Sequence, residues 1–324
     1  MILAGDVGGT KTLISLFKGM GDRLRLIREE TFSSRTHVAL EEILERFLGG
    51  GARPSVRAAC LGVAGPVVEG CCKTTNLPWE IDEAPLARTV GVSRIKLLND
   101  LEAAAYGMLH LDSMDLCVLQ TGLERKGNIA VIAAGMGLGE AIMYWDGEQY
   151  HPMASEGGHA DFAPQTDMEV DLLFYLRCEF GHVSYERLLS GPGFFNIYRY
   201  LRDSGYAEEP PWLRENLTSS DPNEIISQVG LAGGHPLCTV TLDLFSTIYG
   251  AEAGNLALKC LAVGGAYVGG GITPKILPKL QDGTFIRAFV AKGRFTELMR
   301  TIPVKVALTP RAPLVGAAHY ALML

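Results

Sequence analysis

The sequence predicts an α/β fold of two domains with mixed sheets, and three observations carry the prediction. Apolar strand runs are followed by helical stretches, twice along the chain. Three glycine-rich turns, at residues 5–10, 135–139 and 269–271, each end an apolar strand. Finally, "AGDVGGTKTLISLF" near the N-terminus and "AAGMGLGEAIMYW" share one pattern of apolar strand, glycine turn and apolar strand, which reads as an internal duplication. At 324 residues the chain has room for two moderate domains, and a hydrophobic content of 48% gives each a sizeable core.

The elements follow in order. Ile2–Gly5 and Leu13–Phe17 are β-compatible runs on either side of "DVGGTKT". That loop is almost G-x-x-x-x-G-K-[ST], but Thr10 stands where the second glycine belongs, before Lys11 and Thr12. A P-loop also runs straight into a helix, whereas "TLISLF" is strand-like. The loop therefore joins two antiparallel strands. Leu40, Ile43, Leu44, Phe47 and Leu48 recur at helical spacing and mark an amphipathic helix. "VRAACLGVAGPV" is a buried strand ended by Gly-Pro, "RIKLLND" another strand, and "LEAAAYGML" a helix. "NIAVIAAGMGLGEAIMYWDG" is a strand, a glycine turn and a strand. Beyond residue 165 the chain turns helical. Asp221-Pro222 opens one helix as N-cap and first residue, and Thr239 to Leu261 forms a long one. "AVGGAYVGGGITPKI" gives a strand ending in Gly269–Gly271, Val304–Leu308 a further strand, and "APLVGAAHYALM" a closing helix.

Composition excludes several classes. A net charge of −7 argues against a nucleic-acid partner, which needs clustered Lys and Arg. The N-terminus lacks a basic stretch followed by an apolar one, so no signal peptide is expected. Residues 256–272 are too rich in glycine to span a bilayer, so no membrane association is expected. The seven cysteines form no C-x-x-C and are odd in number, as reduced thiols of a cytoplasmic protein would be.

Glycine lets backbone N–H groups come close to an anion, so three such turns suggest a nucleotide gripped between two domains; tight turning alone is the other reading. Asp6 precedes the glycines of the first turn. A carboxylate beside a phosphate loop calls for a cation, so Asp6 is a candidate to hold Mg²⁺ through water, or else a turn former. Thr10 and Thr12 offer hydroxyls there, and Lys11 a charge. Asn99 and Asp100 lie at the carboxyl end of a strand, where open α/β sheets place ligands. Asp100 is placed either to accept a proton from a hydroxyl or to cap the helix from Leu101. Glu156 and His159 in "SEGGHADF" suit a polyhydroxylated ligand or a surface turn; a metal site lacks further ligands at the right spacing. Glu186, in "VSYERLLSG", reads as an ordinary helix carboxylate.

Taken in order, "GDVGGTKT", "GVAGPV", "TNLPWEID", "LLNDLEAAAYG", "SEGGHADFAP", "SYERLLSGPG" and "VGGGITPKI" resemble the bacterial glucokinase family, within the hexokinase and actin-like ATPase superfamily, over nearly the whole chain. The resemblance implies a two-domain actin-like ATPase (ribonuclease H-like) fold with mixed sheets and an interdomain cleft. Its small domain would comprise residues 1–110 plus 304–324, and its large domain 111–303. It implies phosphorylation of the glucose 6-hydroxyl with ATP and Mg²⁺ at the head of glycolysis, and small-molecule substrates. A homodimer is expected only on the general ground that it is the commonest assembly of soluble oligomers. Asp100 matches the family's general base, and Asn99, Glu156, His159 and Glu186 its sugar ligands. Gly5, Asp6, Val7, Gly8, Gly9 and Thr10 match the first phosphate loop, Gly135, Met136 and Gly137 the second, and Gly270 a further nucleotide contact. The zinc motif of the related repressor and sugar-kinase group is absent from the sequence.

One departure from the family pattern concerns chemistry. The second loop usually reads G-T-G-L-G and here reads "GMGLG". Met136 replaces a hydroxyl that can bond a phosphate oxygen, and Ala134 supplies none. One lost charge-assisted hydrogen bond is worth about 1.5–3 kcal/mol, one to two decades of rate or affinity. Two alternatives to a glucose-specific kinase follow: a glucose-binding sensor with weakened kinase activity, and a hexokinase of broader sugar specificity.

Overall fold

A computed structural model describes residues 1–21, 23–49, 54–74 and 77–324. The chain divides into two compact units. The first comprises Met1–Asp115, Pro152–Ala154 and Thr309–Leu324; the second comprises Leu116–His151 and Ser155–Leu308.

The elements run, in the first stretch, β1 (Ile2–Val7), β2 (Lys11–Met20), β3 (Arg23–Ser33), α1 (Leu40–Gly49), β4 (Ala58–Val63), β5 (Val67–Val68), β6 (Cys71–Lys73), β7 (Glu80–Asp82), α2 (Glu83–Val90), β8 (Ile95–Asn99) and α3 (Asp100–Met108). There follow β9 (Leu116–Gln120), β10 (Ile129–Ala134), β11 (Leu138–Trp145), β12 (Tyr150–Ser155), α4 (Asp167–Phe180), α5 (Gly191–Asp203), α6 (Pro211–Ser219), α7 (Pro222–Leu231), α8 (Pro236–Lys259), β13 (Gly265–Gly269), α9 (Leu277–Gln281), α10 (Thr284–Val290), α11 (Thr296–Arg300), β14 (Val304–Ala307) and α12 (Ala312–Met323).

The first unit is built on a five-stranded sheet in the order β3-β2-β1-β4-β8. β1 pairs antiparallel with β2, from Ile2 opposite Phe17 to Val7 opposite Thr12, and parallel with β4, which runs parallel to β8. Strands buried on both faces read as continuous apolar runs, and β4 is buried at every residue. Alternation divides its neighbours. Leu3, Val7, Leu61 and Leu97 pack in one cluster with Leu40, Phe47 and Leu86 of α1 and α2. Ile2, Ala4, Cys60 and Leu98 pack in another with Ala103 of α3 and with Leu314, Ala317 and Ala318 of α12. α3 and α12 meet at small residues: a Cβ on Gly107 would lie 1.8 Å from Ala312 O, and one on Gly316 would lie 1.8 Å from Ala103 O. The motif "TNLPWEID" contributes Trp79, buried in the α1 and α2 cluster, with its indole N–H donating to His37 O at 3.3 Å. Thr75 and Asn76, which open that motif, lie outside the described residues.

The second unit repeats the plan. Its sheet runs β12-β11-β10-β13-β14-β9. β10 pairs antiparallel with β11 and parallel with β13, which is parallel to β14, so five strands match the first sheet in order and the four from β11 to β14 match it in sense. β9 adds an antiparallel edge on β14. This is the duplication that the two glycine-turn segments announce. The 24-residue α8 crosses the helical core, carrying buried Phe245 and Tyr249 against Phe285 of α10. It starts at Pro236, three residues before the expected Thr239, because Pro occupies the first turn and the His235 side chain caps it by accepting from Leu237 N–H. α7 begins as expected, with the Asp221 side chain accepting from Asn223 N–H at 3.0 Å ahead of Pro222. Among the described residues no helix is long and apolar enough to cross a membrane.

Candidate active site

In the first unit, the chemistry-bearing residues sit at the carboxyl ends of parallel strands. β1 ends at Val7 and β8 at Asn99, with β4 between them. Gly5 and Val7 are buried sheet positions, Asp6 is half-buried, and Gly8, Gly9 and Thr10 form the turn into β2. Ser34 ties that turn from outside: its hydroxyl donates to Gly8 O at 2.7 Å and its N–H to Thr10 O at 3.0 Å. The Thr12 hydroxyl lies 2.9 Å from Ser34 Oγ and Thr12 is fully buried. Thr12 is therefore part of the turn's internal bracing, not a hydroxyl offered outward; Thr10 is exposed.

α3 begins at Asp100, one residue before the expected Leu101, because Asn99 is its N-cap. Asn99 Oδ1 accepts from Leu101 N–H at 2.9 Å, and Glu102 Oε2 accepts from Asn99 N–H at 2.9 Å, a complete capping box. Asn99 Nδ2 also donates to Gly65 O at 3.0 Å. Asp100 occupies the first turn with its side chain exposed, where the helix macrodipole favours a carboxylate, and its Oδ1 accepts from the same Leu101 N–H at 2.9 Å. Burial, and then the Asp100 charge, push the Asp6 carboxyl up to about 6, against the opposing pull of Lys11. A hard divalent cation would offset this repulsion between two carboxylates, and among the described residues no group of three or more acidic, His or Cys ligands is gathered to hold one directly.

The second unit gathers the remaining candidates. The turn Gly135–Gly137 joins β10 to β11 and is closed by Gly135 N–H donating to Gly137 O at 2.8 Å. Tyr249 of α8 braces it: the hydroxyl accepts from Ala134 N–H and donates to Gly269 O, both at 3.1 Å, so one buried side chain links the second and third glycine turns. Gly270 has φ of 89°, and a Cβ there would lie 2.1 Å from Ala134 O, so only glycine fits. Beside these turns lies a cavity of about 440 Å³, lined by Gly135, Met136, Phe194, Asn223, Gly271 and Lys275 among others. That is a usual size for a small-molecule site. Met136 is 90% exposed on its wall.

Gly157–His159 form a short 3-10 turn after β12, with Glu156 and His159 exposed. An isolated bridge between Asp161 and Ser184, and Tyr185 N–H donating to Ala160 O at 3.0 Å, fasten this segment to the one that carries Glu186. Glu186 is not an ordinary helix carboxylate. It lies in a 3-10 turn, its Oε2 accepts from Leu138 N–H at 3.0 Å, and its Oε1 is 3.9 Å from His159 Nδ1. One carboxylate thus joins the end of the second glycine turn to the histidine.

The structure therefore forms two clusters, Asp6, Asn99 and Asp100 in the first unit, and Glu156, His159, Glu186 and the turns at Met136 and Gly270 in the second. Sequence reasoning missed Ser34, Tyr249, Asn223 and Lys275. Ser34 and Tyr249 act on turns 26 and 115 residues away, and no local pattern marks such pairs. Asn223 follows the Asp221-Pro222 helix start, which was legible as a helix signal but not as a cavity wall.

Two sheets of one strand order, each with a glycine turn between its first antiparallel strands, define an enzyme of the actin-like ATPase fold. Residues 3–323 match the family model described as Glucokinase. A glucokinase of Trichormus variabilis is 40% identical over 334 aligned positions, 98% of each chain. The crystal structure of a glucokinase from an Antarctic psychrotroph, 30% identical, matches with a TM-score of 0.89 over 100% of this chain and 99% of that one. A ROK family glucokinase from Streptomyces griseus, crystallised with glucose and AMPPNP, shares the fold at 20% identity and a TM-score of 0.65, over 100% of this chain and 99% of that one. The chain belongs to the glucokinase family.

Proposed function

We propose that this enzyme transfers the γ-phosphoryl group of ATP to the 6-hydroxyl of glucose, giving glucose 6-phosphate and ADP. Besides the family membership, the observation that carries this reading is Asp100: an exposed carboxylate in the first turn of α3, at the carboxyl end of β8, whose Oδ1 shares the Leu101 N–H with the Asn99 cap. In this role Asp100 accepts the proton of the 6-hydroxyl as the phosphoryl group passes in line. Asn99, Glu156, His159 and Glu186 hold sugar hydroxyls. Hydrogen-bonding groups of this kind reject a sugar lacking the matched hydroxyl more firmly than an apolar wall does.

The turns at Gly8–Thr10 and Gly135–Gly137, with Gly270, present backbone N–H groups to the phosphates. The cavity of about 440 Å³ takes the adenosine, Phe194 giving an apolar face and Asn223 and Lys275 polar groups. Asp6 would hold Mg²⁺ through water, and the bound ion supplies neutralisation of phosphate charge. The reaction is placed in the cytoplasm, where the free cysteines stay reduced.

Met136 supports a second reading. With a thioether on the cavity wall in place of a hydroxyl, the chain would bind glucose and turn it over slowly or not at all, as a sensor. Coupled detection of glucose 6-phosphate from ATP, Mg²⁺ and glucose, run beside a panel of other hexoses, separates the readings. Turnover selective for glucose is expected. Comparable turnover of several hexoses would make it a broader hexokinase, and binding without turnover a sensor.

A further inference from the structure

Behind the sugar-side turn of the second unit lies a buried acid pair to which the proposed reaction gives no part. Glu140 of β11 is 1% exposed and Glu252 of α8 is fully buried. Glu252 has partners of its own: Asn255 Nδ2 donates to it at 2.8 Å and Lys259 Nζ at 3.4 Å. Among the described residues no cation lies within ion-pair distance of Glu140, on which Lys259 acts only from further off, and its buried Oε1 has no hydrogen-bond partner. A second negative charge at this point would face Glu252 without solvent, so Glu140 holds its proton; burial first, and then the Glu252 charge, push it up to about 8.

The pair touches both segments that carry the proposed sugar ligands. Gly157, between Glu156 and His159, lies directly against Glu140: a Cβ on Gly157 would be 2.1 Å from Glu140 Oε2 and 3.0 Å from its carboxyl carbon. On the other side, Asn255 donates both to Glu252 and, at 3.1 Å, to the hydroxyl of buried Tyr185, the residue before Glu186. The other charged and titratable groups around the pair are Tyr185, pushed up by burial and by Glu252; Tyr249 of α8, pushed up by burial and also by Glu140; Lys259; and Lys292, pulled down by burial, whose Nζ donates to Ala251 O at 2.8 Å and Asn255 Oδ1 at 2.7 Å.

We propose that Glu140 is a positioning residue for the sugar site: while neutral, it lets the turn of Glu156 and His159 and the segment of Glu186 pack together, and its ionisation releases them. This rests on the sugar-ligand reading of those residues. An ionised Glu140 repels Glu252 and draws in water, and the glycine turn resting on its carboxyl is the wall that gives way. Glucose affinity then falls with the fraction of enzyme in the neutral state.

The test is KM for glucose at saturating ATP from pH 6.5 to 9, in the parent, Glu140→Gln and Glu252→Gln, with calorimetric glucose binding of the parent across the same range. Glutamine keeps the shape of Glu140 and cannot ionise. The parent's KM is expected to rise about tenfold by pH 9, where roughly a tenth of the pair remains neutral, with kcat changing less. Glu140→Gln is expected to flatten the KM profile. Glu252→Gln, which removes the neighbouring charge, is expected to move the rise to lower pH. A parent with turnover but a flat KM, a Glu140→Gln profile like the parent's, or an unmoved Glu252→Gln midpoint each overturns the proposal while leaving the glucokinase reading intact. A parent that phosphorylates no glucose at any pH overturns that reading instead. Should Glu140→Gln fail to fold, Glu252→Gln and the calorimetric profile decide.

Discussion

Met136 and Glu186 are single side chains at which the proposed chemistry can be tested one interaction at a time. Met136 stands on the cavity wall where the family pattern has threonine, so restoring the hydroxyl isolates one interaction. Met136→Thr is expected to raise kcat/KM for ATP by ten- to a hundredfold. An unchanged value would mean that the backbone N–H groups of the loop do the gripping alone. Glu186 has two jobs by geometry, one oxygen on Leu138 N–H and the other toward His159. Glu186→Ala is therefore expected to raise KM for both glucose and ATP, and His159→Ala for glucose only. Steady-state kinetics with each substrate varied in turn checks both. In the sequence Glu186 reads as an ordinary helix carboxylate, because the group that reveals its second role lies 48 residues earlier. The sugar role proposed for it came only through the resemblance.

At the level of elements, α3 shows how local sequence positions the proposed base. "NDLE" holds a complete capping box, and its first member is Asn99 and not Asp100. The cap leaves Asp100 in the first turn with its carboxylate exposed. Losing an N-cap costs about 1 kcal/mol of stability. Asn99→Ala is expected to cost that much in denaturant unfolding and to lower kcat by more than the stability loss accounts for, because the frayed turn carries Asp100. The same helix depends on its contact with α12, where Gly107 and Gly316 let the backbones meet. Gly316→Val is expected to destabilise the fold by about 1–3 kcal/mol or more, read as a lower urea midpoint. The inner strands β1, β2, β4, β8, β10, β11, β13 and β14 and the helices α1, α3, α7 and α12 were legible from apolar runs, periodicity and caps, whereas the edge strands β3, β9 and β12 were not anticipated. The start of α8 was not placed correctly, because a histidine cap is a weak signal beside the Pro that follows it.

Across the whole molecule, the repeated sheet was visible in sequence as two strand-turn-strand segments, since turn glycines and apolar runs are local properties. The ties between turns were not visible. Ser34, Tyr249 and the Glu140 and Glu252 pair act across sequence gaps that no pattern spans. Buried Glu140 also ties global stability to pH. Its folded carboxyl is pushed from 4.5 to about 8, so the folded state keeps a proton that the unfolded chain releases. The contribution is full below about pH 4.5 and is lost as pH rises to 8, so stability falls across that window. Urea unfolding at pH 5 and pH 8 is expected to show a smaller difference in Glu140→Gln than in the parent. Equal differences would remove Glu140 as the cause. The proposed chemistry turns on Asp100, and the most direct measurement is the formation of glucose 6-phosphate by the parent and by Asp100→Ala, with glucose binding followed by calorimetry. The parent is expected to turn over, and the variant to bind glucose nearly as well while losing about two to four decades of kcat. A variant that keeps near-parental kcat, or a parent with no turnover, would contradict the assignment of Asp100 as the base of a glucose kinase.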